Sequence, residues 1–94
     1  MIRIKIRFQG ALRSQIGPDV HVSISGERAT VTNILDSIKG MNPTVYATIM
    51  QKDDILRPCI LVLNQRRVDR LDNFKTAVKN GDELTIYPPI RKTE

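Results

Sequence analysis

The first eight residues constrain the fold more than any other stretch, because Ile2, Ile4, Ile6 and Phe8 alternate with Arg3, Lys5 and Arg7. A side-chain period of two over that length fits a strand with one buried and one wet face, and fits no helix, whose apolar positions recur every three or four residues. Such a strand needs an apolar layer over its isoleucine face. The rest of the chain supplies one. Val20, Val22 and Ile24 alternate with His21, Ser23 and Ser25, which predicts a second strand returning in a hairpin after the turn-rich stretch from Gly10 to Pro18 and ending at Gly26.

From Thr30 the period changes, with Val31, Ile34, Leu35 and Ile38 at helical spacing, Thr30 placed to cap the first turn and Gly40 placed for a C-terminal cap. One helix is predicted over about Val31 to Lys39. Pro43 at a first-turn position, followed by Val45, Tyr46, Ile49 and Met50, predicts a short second helix. The run Cys59-Ile60-Leu61-Val62-Leu63 reads as a strand, Asn64 to Arg67 as a turn, and Val68 as the start of a short return strand. Asn80-Gly81-Asp82 is a turn, and Glu83 to Tyr87 alternates again until Pro88 and Pro89, which cannot donate ladder hydrogen bonds, end the last strand. The order strand, strand, helix, short helix, strand, short strand, strand predicts an α+β fold. A mixed sheet packs against one main helix, with the last strand beside the first, in the β-grasp (ubiquitin-like) arrangement. Residues 1–90 are read as a single domain and 91–94 as a short charged tail.

Composition removes several classes of function. A lone cysteine, Cys59, and a lone histidine, His21, give neither an internal disulfide nor a metal cluster, so no cofactor or metal is expected. No stretch has the continuous apolar run of a signal peptide or membrane span, which points to a soluble, cytoplasmic protein with no membrane partner. Enzymatic chemistry is not expected either. His21 sits on the outward parity of an early strand, Cys59 opens an apolar strand as a packing thiol, and Asp53-Asp54, Asp72 and Asp82 read as solvated or turn carboxylates. The net charge of +5 favours an acidic partner. Arg3, Lys5 and Arg7 form one basic feature and Arg66, Arg67 and Arg70 another, although such residues also serve simply to keep an open sheet face soluble. Only Tyr46 and Tyr87 could stack on bases, so nucleic-acid binding is disfavoured.

Phe8-Gln9-Gly10-Ala11-Leu12-Arg13 with Gly17, Ala29-Thr30-Val31 with Ile34-Leu35, Leu56-Arg57-Pro58 leading to Asn64, Asn80-Gly81-Asp82-Glu83-Leu84 and Tyr87-Pro88-Pro89-Ile90 follow one another in a familiar order. Together they resemble the MoaD/ThiS sulfur carriers, the small subunits of molybdopterin synthase and their relatives. The resemblance implies a ubiquitin-like fold and a protein partner such as a large synthase subunit or an adenylating enzyme. It also implies a C-terminal Gly-Gly, which must thread a narrow channel because only glycine lets the backbone approach a nucleotide that closely. Arg91-Lys92-Thr93-Glu94 stands in that place, and four side chains, two of them cationic, clash with such a channel and bury charge.

The expectation is therefore a non-conjugating protein-binding module. The candidate contact residues are Arg3, Lys5, Arg7, Leu61, Leu63, Tyr87, Pro88, Pro89 and Ile90, with both parities of the strand over residues 59–63 compatible with an outward face. The competing readings are a sulfur carrier in molybdenum or tungsten cofactor biosynthesis and a basic binder of nucleic acid or another anion. Oligomeric state is left open.

Overall fold

The computed structural model describes residues 1–50, 56–57, 60–68, 74–88 and 90–91, with the backbone alone for 56, 57, 90 and 91. The predicted first strand is β1 (Ile2–Phe8), whose isoleucines and Phe8 are buried while Arg3 and Arg7 are exposed. It pairs antiparallel with β2 (Asp19–Ile24). Between them lies a helix, α1 (Ala11–Ile16), where the sequence reading placed only a turn. Gly10 and Gly17, both at positive φ, bracket it, and Ala11, Leu12, Arg13 and Gln15 are good helix formers between those two breaks. Leu12 is its buried anchor.

After the two-residue β3 (Ala29–Thr30), the main helix α2 runs Val31–Met41. Thr30 is its N-cap: its N–H donates to Asn33 Oδ1 at 2.8 Å, and the four predicted apolar positions are all buried. The helix passes through Gly40 and ends at Asn42, which corrects the predicted terminus. Asn42 does two jobs, the second of which needs a side chain that glycine lacks. Its N–H closes α2 on the Ile38 carbonyl at 2.8 Å, while its Oδ1 accepts the Val45 N–H at 3.1 Å and so caps α3 (Pro43–Met50). The exit backbone there is extended, so the left-handed conformation that selects glycine is not needed.

The remaining elements are β4 (Leu56–Arg57), β5 (Ile60–Leu63), β6 (Arg66–Arg67), β7 (Ala77–Val78), β8 (Glu83–Tyr87) and β9 (Ile90–Arg91). The return strand is Arg66–Arg67, with Val68 just beyond it and still bonded through its N–H to the Leu61 carbonyl. Asn64 and Gln65, both at positive φ, form the two-residue turn of that hairpin, the geometry that matches the right-handed twist of paired strands.

The main sheet has the order β2-β1-β8-β5-β6, with β1 and β8 parallel and the other pairs antiparallel. β3 pairs with β7 and β4 with β9 in two small ladders. Ile4, Ile6, Phe8, Leu61, Leu84 and Ile86 from the sheet and Val31, Ile34, Ile38, Val45 and Ile49 from α2 and α3 make one core. This is the α+β, β-grasp arrangement expected from the element order. The predicted end of the last strand at Tyr87 holds, but a ladder resumes at Ile90, whose backbone register is opposite Arg57, with Arg91 opposite Leu56.

Candidate protein-binding face

With the helices covering one side of the sheet, strand alternation decides what the other side presents. Across that side Lys5 lies beside His21 and Glu83, Arg7 beside Asp19 and Thr85, Thr85 beside Val62, Val62 beside Arg67, and Tyr87 beside Ile60. A cleft of about 480 Å³ opens there, lined chiefly by Arg7, Val62, Gln65, Glu83, Thr85 and Tyr87. Tyr87 is 41% exposed and is one of the few large apolar side chains on the surface among the described residues.

The basic stripe predicted on β1 is largely neutralised in place. Arg7 Nη1 lies 3.3 Å from Glu83 Oε1, Arg7 Nε 3.6 Å from Asp19 Oδ1, and Lys5 Nζ 3.9 Å from Asp19 Oδ2. These pairs are solvent-facing, so each adds little stability, but they hold Arg7 over the cleft. Arg3 is exposed and makes no ion pair among the described residues, while its backbone is fixed by Asn80 Oδ1 at 2.8 Å and the Gly81 N–H at 2.8 Å. The face is thus a mixed polar and apolar surface rather than a cationic one.

Of the candidate contact residues, Arg3, Lys5, Arg7 and Tyr87 share this face. Leu61 and Leu63 do not: they are 1% and 9% exposed and face the helix side of the sheet, so their assignment as contacts on this face is corrected. The outward parity of β5 belongs to the half-buried Ile60 and Val62. Pro88 is half-buried at the end of β8, Pro89 lies outside the described residues, and Ile90 is described only as backbone in β9. His21 is exposed beside Lys5. Cys59, Asp53, Asp54, Arg70 and Asp72 lie outside the described residues. Asp82 is the predicted turn residue, accepting the Lys79 N–H at 2.7 Å and Asn64 Nδ2 at 2.8 Å. Among the described residues no His, Cys, Asp and Glu cluster could hold a metal, and no helix is long and apolar enough to cross a membrane.

Sequence reasoning had placed Gly10 in a loop without a role. At φ +57° it carries a backbone that side chains rarely adopt, and an added Cβ would sit 2.8 Å from Pro88 Cγ. The first loop is therefore the seat of the segment that leaves the sheet. Gly10→Ala is expected to cost about 1–3 kcal/mol of unfolding free energy, read by urea denaturation, and to shift the Tyr87 amide resonance as Pro88 is displaced. An unchanged Tyr87 signal would remove that contact from the account.

The ThiS family model matches residues 6–91, from the middle of β1 through β9. The chain belongs to the ThiS family. Among curated relatives of this ThiS-family chain, a molybdopterin synthase sulfur carrier subunit from Chlamydomonas reinhardtii is 28% identical over 89 residues, covering 95% of this chain and 96% of that one. Small archaeal modifier protein 3 from Haloferax volcanii is 26% identical over 90 residues, covering 95% and 97%. The solution structure of small archaeal modifier protein 1 from Methanosarcina acetivorans superposes with a TM-score of 0.74 at 23% identity, covering 99% of this chain and 98% of that one. That likeness is one of fold, and it agrees with the ubiquitin-like sheet and helix arrangement of this ThiS-family protein.

Proposed function

We propose that this ThiS-family chain is a non-conjugating protein-binding module that docks a partner protein through the open sheet face. The observation that carries the reading is the cleft itself, where Tyr87 and Val62 offer apolar contact and the paired Arg7 and Glu83 offer oriented polar groups. Apolar anchors inside a polar surround are the anatomy of a specific protein contact. The family resemblance supplies the kind of partner, a synthase's large subunit or an adenylating enzyme, and one relative is named as a synthase subunit. The module performs no catalysis of its own in this reading.

Two features support the non-conjugating part. A carrier's C-terminal segment must leave its own domain and extend into an activating enzyme, whereas here the backbone of Ile90 and Arg91 is paired with that of Arg57 and Leu56. Arg91, Lys92, Thr93 and Glu94 then put side chains where the carriers that the sequence resembles have glycines. The second reading, a sulfur carrier of molybdopterin synthesis, is favoured by the near full-length match to a relative of that name.

Intact mass after incubation with ATP, a sulfur donor and the adenylating enzyme from the same cell separates the two. The native chain is expected to keep its mass. A gain corresponding to exchange of one C-terminal carboxyl oxygen for sulfur would establish the carrier reading instead. A chain with Gly-Gly after Ile90 in place of Arg91–Glu94 is expected to acquire that gain, because the docking face is intact.

A further inference from the structure

At the β6 edge, on the side of the sheet that Leu63 and Val68 face, lies a second cleft of about 480 Å³. Its floor is apolar, made by Leu63, Val68 and Ala77; Arg66 and Lys79 stand around it, and Arg67, across from Val62, borders it at the sheet edge. The two arginines come from the β5–β6 hairpin and the lysine from the segment after β7. All three are exposed, and none makes an ion pair among the described residues. Asp82 also lines the cleft, but both its oxygens are engaged by Asn64 Nδ2 and the Lys79 N–H. Among the described residues three cations thus meet one carboxylate already committed to its turn, the reverse of the balance around Arg7, where Asp19 and Glu83 answer the charge.

Among the described residues the edge itself is unpaired. Val68 donates its N–H to the Leu61 carbonyl at 2.8 Å, so by strand alternation Arg67, one residue earlier, turns its own N–H and carbonyl away from β5. No further strand of the described residues lies there, since β6 ends the sheet order. Cations on a short edge strand ordinarily discourage pairing with other chains. Here they are joined by a lysine from another element around an apolar floor.

We propose that this cleft binds an extended acidic segment of a partner protein. The segment pairs its backbone with Arg67 at the sheet edge, sets its carboxylates against Arg66, Arg67 and Lys79, and lays an apolar side chain on Leu63, Val68 and Ala77. Among the described residues no aromatic side chain lines the cleft for bases to stack on, which favours a peptide over a nucleic acid. The cleft adjoins the docking face at Asn64 and Arg67 but opens on the other side of the sheet.

The test is a titration of ¹⁵N-labelled protein with a synthetic hexapeptide alternating glutamate and valine. Amide shifts are expected at Arg66, Arg67, Val68, Ala77 and Lys79, with affinity falling as salt is raised. The double variant Arg66→Glu, Lys79→Glu, exposed at both positions, is expected to keep its circular dichroism and melting temperature and to bind at least about tenfold more weakly. Glutamine in place of glutamate in the peptide has the same effect. Undiminished binding by the double variant or by the glutamine peptide overturns the proposal, as do shifts confined to Arg7, Val62 and Tyr87. Tighter binding of a single-stranded oligonucleotide than of the peptide overturns it in favour of nucleic acid.

Discussion

Leu61→Ala is expected to lower the free energy of unfolding by about 2–5 kcal/mol, while Val62→Ala, the next residue of the same strand, costs less than about 1.5 kcal/mol. The difference follows from parity. Leu61 is 1% exposed and sits in the core with Leu84 and Ile86 of β8 and the buried residues of α2, so truncation leaves a cavity as well as losing transfer energy. Val62 is only half-buried, faces the open cleft and leaves no enclosed void when shortened. Both variants keep the ladder between β5 and β8, because neither changes the backbone. Urea denaturation with a two-state fit reads the contrast directly. Equal losses for the two variants would mean that β5 presents both faces to apolar neighbours, and the open face would then have to be redrawn.

That parity was left open by the sequence, because the apolar run itself does not carry it. Ile60, Leu61, Val62 and Leu63 are interchangeable to a period of two, because all four are apolar. The information sits in the return of the hairpin. A two-residue turn at Asn64-Gln65 sets Leu63 opposite Arg66 and Val62 opposite Arg67, and leaves Val68 bonded to Leu61. Val68, the apolar residue among these charged ones, must go inward, and it carries Leu61 with it. The strand β1 and helix α2 were legible for the converse reason: their polar positions are regular enough to fix a face, and all the predicted core residues of both are buried. The helix α1 was hidden because six residues with one buried leucine make too short a pattern to separate from a turn.

The charge of the site was less legible than its shape. Arg3, Lys5 and Arg7 look like a cationic stripe when one strand is read alone. Asp19 and Glu83 lie far away in sequence and reach Lys5 and Arg7 only through the pairing of β2 and β8 with β1. Such compensation is a property of the sheet, whereas Arg66, Arg67 and Lys79 stay without a counter-ion among the described residues after folding. Net charge therefore says less about the docking face than about the β6 edge.

Tyr87→Ala and Val62→Arg are each expected to weaken docking to the partner by about 2 kcal/mol or more, roughly thirtyfold, measured by titration calorimetry against the adenylating enzyme or large synthase subunit from the same cell. Tyr87 is the large exposed aromatic of the face, and aromatic anchors beside a fully desolvated centre dominate interface energies. Val62→Arg acts differently, since it places a cation in the middle of the contact, near Arg7 and opposite Arg67, where desolvating it without a partner is costly. Arg3→Ala, at the margin and free of ion pairs among the described residues, is expected to change the salt dependence of association more than the affinity. Neither anchor variant disturbs the core, so melting temperatures should stay close to that of the parent chain and a loss of binding can be assigned to the surface. Unaltered affinity in both variants would take the open sheet face out of the interface and leave the segment beyond Tyr87 as the contact.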